Sequence, residues 1–391
     1  MTRRTTIYAA MTGGFGSLAQ VLPVLDRLDR GRFRIACSIS HGAADALRRL
    51  GYELIPYPEV GPPKVVTPKG RRWFDLDHYW GRFGFADPEY FSALVESRLR
   101  VVRELEPDLL LTQFCPPTEV IARVTGLPLV CFTQSCWHPA GKRIDWWDPR
   151  RSDDYPRATP AVNAVLERYG AAPISRMEEL NRGDLTFLPS FPEFDPVDDP
   201  AARYLGPLRW DGAGGASTPR PMVVVYTGKL QDSAGNSGQL ILERVVEALQ
   251  GTAVDAVVAI GLGQDDVDLR PYQRPNIRVC DWAPLGELLP RSRLFIHHGG
   301  HGSCMAAIQA GVPSLVIPTF QEREFNARQL RALGLGDFIT PEELTAERLV
   351  AALEDGASIR ANLNRWRETL AARRYGGAAL AVREIEALSP R

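Results

Sequence analysis

The 391-residue sequence has no surplus of either charge: 46 Lys and Arg stand against 47 Asp and Glu, a formal net charge of −1. That balance excludes a global basic field drawn to nucleic acid, and no local Lys/Arg cluster with interleaved aromatics replaces it. No stretch approaches the ~20 apolar residues that a membrane span needs, so no membrane span is expected. The opening Met1-Thr2-Arg3-Arg4-Thr5-Thr6-Ile7-Tyr8 carries only a short apolar run before a glycine turn, which predicts no secretory leader. Six cysteines, at 37, 115, 131, 136, 280 and 304, show no C-x-x-C spacing. They read as small buried residues in a reducing compartment, without a disulfide or zinc framework. A cytoplasmic protein is the expectation.

What is present is ordinary globular composition, 45% hydrophobic and 24% charged. The length exceeds what one hydrophobic core supports, so two domains are expected. In the first half Thr6–Ala10, Phe33–Ile39 and Tyr52–Ile55 read as strands, and Ser17–Leu28 and Ala43–Leu50 as helices between them. Such a βαβαβ rhythm implies a parallel sheet with helices on both faces, and ligands outside the carboxyl ends of its strands. Here those ends include the turn Gly13-Gly14-Phe15-Gly16. Two aromatic-rich inserts interrupt the rhythm. The first carries Trp73, Phe74, His78, Tyr79, Trp80 and Phe83; the second, from Cys136 to Asp154, carries Trp137, Trp146 and Trp147 with Arg143, Arg150 and Arg151. They read as a binding wall or as a satellite core under long loops, with even claims. The Gly-, Pro- and Ser-rich run 206–221 marks a linker, after which the α/β rhythm restarts at Met222–Tyr226.

Residues 295–328 stand out. A buried apolar strand ending at Ile296 runs into Gly299-Gly300-His301-Gly302, Ser303 offers a helix cap, and Gly311 and Pro313 close that helix. Strand, glycine turn and helix N-terminus make an anion site, because backbone N–H groups and the positive helix end converge where glycines admit a diphosphate.

This stretch resembles the signature of the GT-B glycosyltransferases of the UDP-glycosyltransferase superfamily, which glycosylate small molecules and natural products. Their pattern of His-Gly-Gly-x-Gly-Thr/Ser, Glu-Ala-Leu, Gly-Val-Pro, Pro, Asp-Gln and Asn-Ala is matched at corresponding spacing. The matching residues are His298-Gly299-Gly300-His301-Gly302-Ser303, Ala306-Ala307-Ile308, Gly311-Val312-Pro313, Pro318, Glu322-Arg323 and Asn326-Ala327. Upstream, Asp281-Trp282-Ala283-Pro284 matches the family's Trp-x-Pro segment. The resemblance implies two Rossmann-like doubly wound domains facing across a cleft, with an acceptor domain at 1–205 and a nucleotide-sugar domain at 222–375. A last helix at 376–391 would return to the first domain.

It further implies an inverting transfer from a UDP- or dTDP-sugar to a small acceptor, with no cofactor and no metal required, and a homodimer as the further assembly considered. Trp282 would face the base. His298, Gly299, Gly300, Gly302 and Ser303 would hold the diphosphate, with Gly228 and Lys229 beside it. Glu322, Arg323 and Asn326 would meet the donor sugar.

Two departures bear on mechanism. The family's ribose-gripping Glu is Ala306, and its Asp-Gln pair is Glu322-Arg323, which puts a planar cation where an amide stood; this suggests a donor sugar with unusual, for instance acidic, substituents, or a pairing of Arg323 with Glu322 or Glu324. In the N-terminal domain the family's catalytic His after the first glycine turn is Ser17, next to Gly16, and the orienting Asp is Gln113. The candidate catalytic residues are therefore Ser17 and His298, with Gly16, Gln113 and His138 on the acceptor side and His78 and His138 as substitute bases. A general base contributes typically ~10²–10⁴-fold, so its loss must be offset or the acceptor must arrive ionised. The alternatives are a catalytically silent GT-B partner protein and a sugar-nucleotide epimerase or hydrolase.

Overall fold

Apolar runs without alternation, such as Leu109-Leu110-Leu111, belong to strands covered on both faces, and both halves of the chain build such sheets. The computed structural model describes residues 3–389 apart from 13–14, 40–41, 57–58, 67–74, 143–154, 209–221, 232–234, 262–263, 265–266 and 354–355. The expectations placed on Gly13, Gly14, Trp73, Phe74, Arg143, Trp146, Trp147, Arg150, Arg151 and most of the linker lie outside the described residues.

The N-terminal sheet contains β1 (Thr5–Met11), β2 (Phe33–Ser38), β3 (Glu53–Leu54), β4 (Leu109–Gln113), β5 (Leu129–Phe132), β6 (Leu185–Leu188) and β7 (Ala202–Tyr204), in the order β3-β2-β1-β4-β5-β6-β7. Its helices are α1 (Phe15–Leu25), α2 (Gly42–Arg49), α3 (Leu76–Trp80), α4 (Pro88–Leu105), α5 (Pro116–Thr125) and α6 (Thr159–Arg168). The C-terminal sheet contains β8 (Met222–Tyr226), β9 (Asp255–Ala259), β10 (Ile277–Cys280), β11 (Ser292–His297), β12 (Ser314–Val316) and β13 (Gly336–Phe338), in the order β10-β9-β8-β11-β12-β13. Around it lie α7 (Ser237–Leu249), α8 (Leu285–Leu288), α9 (His301–Ala310), α10 (Gln321–Ala332), α11 (Ala346–Ala352), α12 (Gly356–Arg373) and α13 (Gly377–Leu388). The paired strands run parallel in both sheets, so the expected pair of doubly wound domains is present.

Each sheet reverses its strand order once, between β1 and β4 and between β8 and β11. In open α/β sheets the crevice at such a reversal is where ligands bind. The reversals end in register at Met11 beside Gln113 and at Tyr226 beside His297. One candidate half-site therefore sits on each domain.

Several elements differ from the sequence reading. Residues 155–205, left without elements there, supply α6, β6 and β7. The run Thr340-Pro341-Glu342-Glu343, which by sequence would cap and start a helix, forms only a single tight turn, Pro341–Glu343, broken by extended Leu344; α11 starts after Thr345, whose side chain accepts from Arg348 N–H. Of the aromatic inserts, Trp80 and Phe85 stack at 4.9 Å and 4° and are buried with Phe91 and Phe114 in one core. For these residues the satellite core is the observed arrangement.

Two segments cross between domains. Ala378, Ala381 and Ile385 of α13 pack in the N-terminal core with Leu18, Leu22 and Leu25 of α1. In the other direction Phe191 and Phe194, which follow β6, are buried among Met305, Ile308, Leu330 and Leu363 of the C-terminal domain.

Two measurements check this packing. Phe191→Ala should cost about 3–5 kcal/mol in denaturant unfolding, whereas a loosely docked loop would lose under about 1. Glu119 on α5 is fully buried, and burial pushes its carboxyl up to about 8, only partly offset by the Cys115 N–H it accepts. The folded state thus holds a proton that the unfolded state has released, so stability falls as pH rises from the ordinary carboxylate range to about 8. Thermal melts at pH 5 and pH 8 should show Glu119→Gln gaining on the parent only at the higher pH.

Candidate functional site

A cavity of about 280 Å³ lies between the two strand reversals. The N-terminal domain contributes Gly16, Leu18 and Gln20 to its wall; the C-terminal domain contributes Trp282, Gly302, Ser303, Ala306 and Gln309. Trp282 is 56% exposed, a large apolar face left open where a core tryptophan would be covered.

The glycine turn is shaped by close approach. Gly299 has φ +93°, and a Cβ there would fall 2.7 Å from Val316 Cγ1. A Cβ on Gly300 would fall 2.7 Å from His298 Nε2. The helix begins three residues earlier than expected: Gly300, in extended conformation, is the cap of α9, and Ser303 lies in the first turn with its N–H on Gly300 O at 3.0 Å. An outside acceptor makes the early start affordable, because Glu322 Oε1 takes the His301 N–H at 3.2 Å.

The same carboxylate oxygen accepts from Asn326 Nδ2 at 2.7 Å, and Asn326 Nδ2 also donates to Gly299 O at 2.9 Å. Burial raises the Glu322 carboxyl, opposed by Arg323 and by these donors. The Arg323 guanidinium lies 4.0 Å over the Phe320 ring and donates to Thr319 Oγ1. Both members of the Glu322-Arg323 pair are thus engaged with the protein around the turn.

His298 sits between Gly300 and Gly228, with its ring edge-on to Tyr226 at 5.3 Å. Burial first, then Arg323, holds it well below its ordinary value. That favours the neutral imidazole, which can still take part in hydrogen bonds. His297 is held at about 3 by burial, and its Nδ1 accepts from Gly299 N–H at 3.1 Å. Lys229 is exposed beyond Gly228.

On the N-terminal side Ser17 Oγ donates to Thr12 O at 2.7 Å. Gln113 Nε2 meets Gln20 Oε1 at 3.5 Å, while Gln113 Oε1 is buried without a partner among the described residues. Phe114, at φ +57°, stacks on Trp137 at 3.8 Å. The structure does not bring His138 to the cavity. Its Nδ1 accepts from Ala140 N–H, its Nε2 lies 3.7 Å from Asp199, and burial holds it at about 4. His78 is buried on α3 beside Asp75.

Sequence reasoning missed three residues. Gln20 and Gln309 line the cavity, and Gln309 Nε2 donates to Pro207 O at 2.8 Å across the domains. His301 also lines it, with Nε2 2.8 Å from Asp195 Oδ2. The available signal was a histidine in the variable place of the glycine motif. Among the described residues no group of three His, Cys, Asp or Glu converges as a metal site would require.

Comparison with known proteins finds likenesses among glycosyltransferases. Residues 243–376 match the family described as erythromycin biosynthesis protein CIII-like, C-terminal domain. The chain is 35% identical over 172 residues to demethyllactenocin mycarosyltransferase of Streptomyces fradiae, covering 43% of this chain and 36% of that protein. The match therefore spans about a third of that relative. It is 29% identical over 375 residues to the elloramycin glycosyltransferase of Streptomyces olivaceus, covering 88% of each. It shares its fold with the glycosyltransferase of kitacinnamycin, with TM-score 0.73, 22% identity and full coverage of both chains.

The hydrogen bonds of Glu322 give a prediction independent of function. Glu322→Ala strands two buried donors and should cost about 2–4 kcal/mol in thermal or urea unfolding. Glu322→Gln, which keeps an accepting oxygen and removes a buried charge, should stay within about 1 kcal/mol of the parent.

Proposed function

We propose that this chain is a family 1 GT-B glycosyltransferase, a reading supported by its likeness to such proteins, and that it moves a sugar from a UDP- or dTDP-sugar to a small natural-product-like acceptor by direct, inverting displacement. The observation that carries this reading is the cavity itself. An open tryptophan face and a glycine-built helix N-terminus share one wall of it, and the N-terminal strand reversal supplies the other.

In this reading the base lies on Trp282 and the diphosphate at the start of α9, where the helix end and the N–H groups meet its charge. Departure of the nucleoside diphosphate concentrates negative charge there, and donors already in place stabilise it without reorganising. The neutral His298 imidazole adds a hydrogen bond. With Ala306 where a ribose-binding carboxylate would stand, the acceptor for ribose hydroxyls is Gln309 one turn on, whose amide is oriented by its bond to Pro207 O. The acceptor enters from the side of Gly16 and Gln20. The chemistry needs no metal, since the helix end supplies the positive field.

Release of nucleoside diphosphate from a panel of UDP- and dTDP-sugars, with and without phenolic and alcoholic acceptors, tests the reading. Acceptor-dependent release is expected. Release without acceptor points to a hydrolase or epimerase, and no release at all to a silent partner protein. Trp282→Ala should weaken uridine or thymidine diphosphate by about 1–3 kcal/mol in calorimetry, the worth of stacking a base on an aromatic face.

A further inference from the structure

The transfer leaves one proton without a destination, since the acceptor hydroxyl must lose it as its oxygen bonds to the sugar. Ser17 Oγ is committed to Thr12 O, and the amides of Gln20 and Gln113 have no basic atom at neutral pH. Of the six histidines, His41 lies outside the described residues. His78 is buried beside Asp75, His138 is turned to Asp199, His297 is stacked against Phe295, and His298 is walled by glycines. His301 differs from these four. It lines the cavity, and it holds a carboxylate at hydrogen-bond distance.

That pair is fixed from several directions. Asp195 Oδ1 accepts the Ser135 N–H at 2.9 Å, leaving Oδ2 for His301 Nε2 at 2.8 Å, with both side chains buried. The Phe194 ring stands edge-on to the imidazole at 5.9 Å and 76°. The His301 N–H is anchored on Glu322. With Nε2–H donated to the carboxylate, Nδ1 keeps the lone pair, and it is buried with no hydrogen-bond partner among the described residues. A carboxylate that orients an imidazole and supports its charged form is the arrangement by which histidine serves as a base.

We propose that His301 Nδ1 accepts the acceptor's proton, with Asp195 orienting and stabilising the imidazole in place of the pair missing from the N-terminal domain. This rests on the transferase reading above. As the acceptor oxygen bonds to the anomeric carbon, the bond from that carbon to the diphosphate oxygen breaks. The proton passes to Nδ1, and the electron pair leaves with the diphosphate at the start of α9. The new imidazolium faces Asp195 from the interdomain segment and Glu322 from α10, with Arg323 on α10 as the opposing charge. Cys136 and Cys304, near the same carboxylates, stay neutral because burial pushes their thiols well up.

The test compares His301→Gln and Asp195→Asn with the parent on two acceptors: its best aliphatic alcohol, and 4-nitrophenol, a large share of which is already phenolate at neutral pH. With the alcohol, His301→Gln should lower kcat by about 10²–10⁴-fold and abolish the acid limb of the kcat/KM profile; with the phenolate the loss should stay below about tenfold. Asp195→Asn should lose in the same acceptor-dependent sense. Calorimetric binding of uridine or thymidine diphosphate within about threefold of the parent shows that the variants are folded with the donor site intact. Equal losses on both acceptors, no loss on either, or parental turnover confined to ionised acceptors overturns the dyad while leaving the transferase reading in place. A parent that turns over no donor overturns both.

Discussion

A loop that must offer its N–H groups to a ligand cannot use the same groups to hold itself in place. The turn at Gly299–Gly302 divides these tasks: it gives two of its own N–H groups to side chains, that of Gly299 to His297 Nδ1 and that of His301 to Glu322, and it borrows further support from α10. Asn326 clips the Gly299 carbonyl, and Glu322 takes the His301 N–H, while Gly302 faces the cavity with nothing packed upon it. The cost is a buried carboxylate, tolerated because two donors converge on one of its oxygens and a guanidinium lies alongside. Pre-formed donors of this kind are what a departing diphosphate needs, since charge that develops quickly gains little from groups that must first turn toward it.

The legible part of the molecule was the part with local signals. Apolar runs followed by glycine marked β1, β8 and β11, and the turn after β11 was visible because close approach to Val316 and His298 admits only glycine. The reading of Glu322 and Arg323 as sugar contacts followed their place in the motif; their present engagement with the turn depends on how α10 leans on α9, which no spacing encodes. Asp195 and His301 are 106 residues apart, and nothing periodic links them. The segment carrying Phe191, Phe194 and Asp195 looked like unremarkable chain before a linker because its partners belong to the other domain.

The two halves of the cleft are held to different standards. On the C-terminal side Glu322 and Asn326 hold the turn and His301 pairs with Asp195, although Asn326 Oδ1 is buried without a partner among the described residues. On the N-terminal side two amides meet at 3.5 Å and one amide oxygen remains unmatched. Neutral amides bury at lower cost than charges, which eases their place at the sheet reversal. Phe114, held at φ +57° against Trp137, keeps the end of β4 shaped even so.

The chain passes between the domains twice, once after Gly206 and once near Tyr375, and these passages touch: a Cβ on Gly206 would lie 3.0 Å from the Tyr375 ring. Arg374, Gly376 and Gly377 all have positive φ at the second passage, so the backbone there doubles back sharply. Two covalent connections lying against each other, with Phe191 and Phe194 buried in the opposite domain and α13 packed in the first, make a single seam of the two domains. A change in how the walls of the cleft face each other would have to disturb packed side chains.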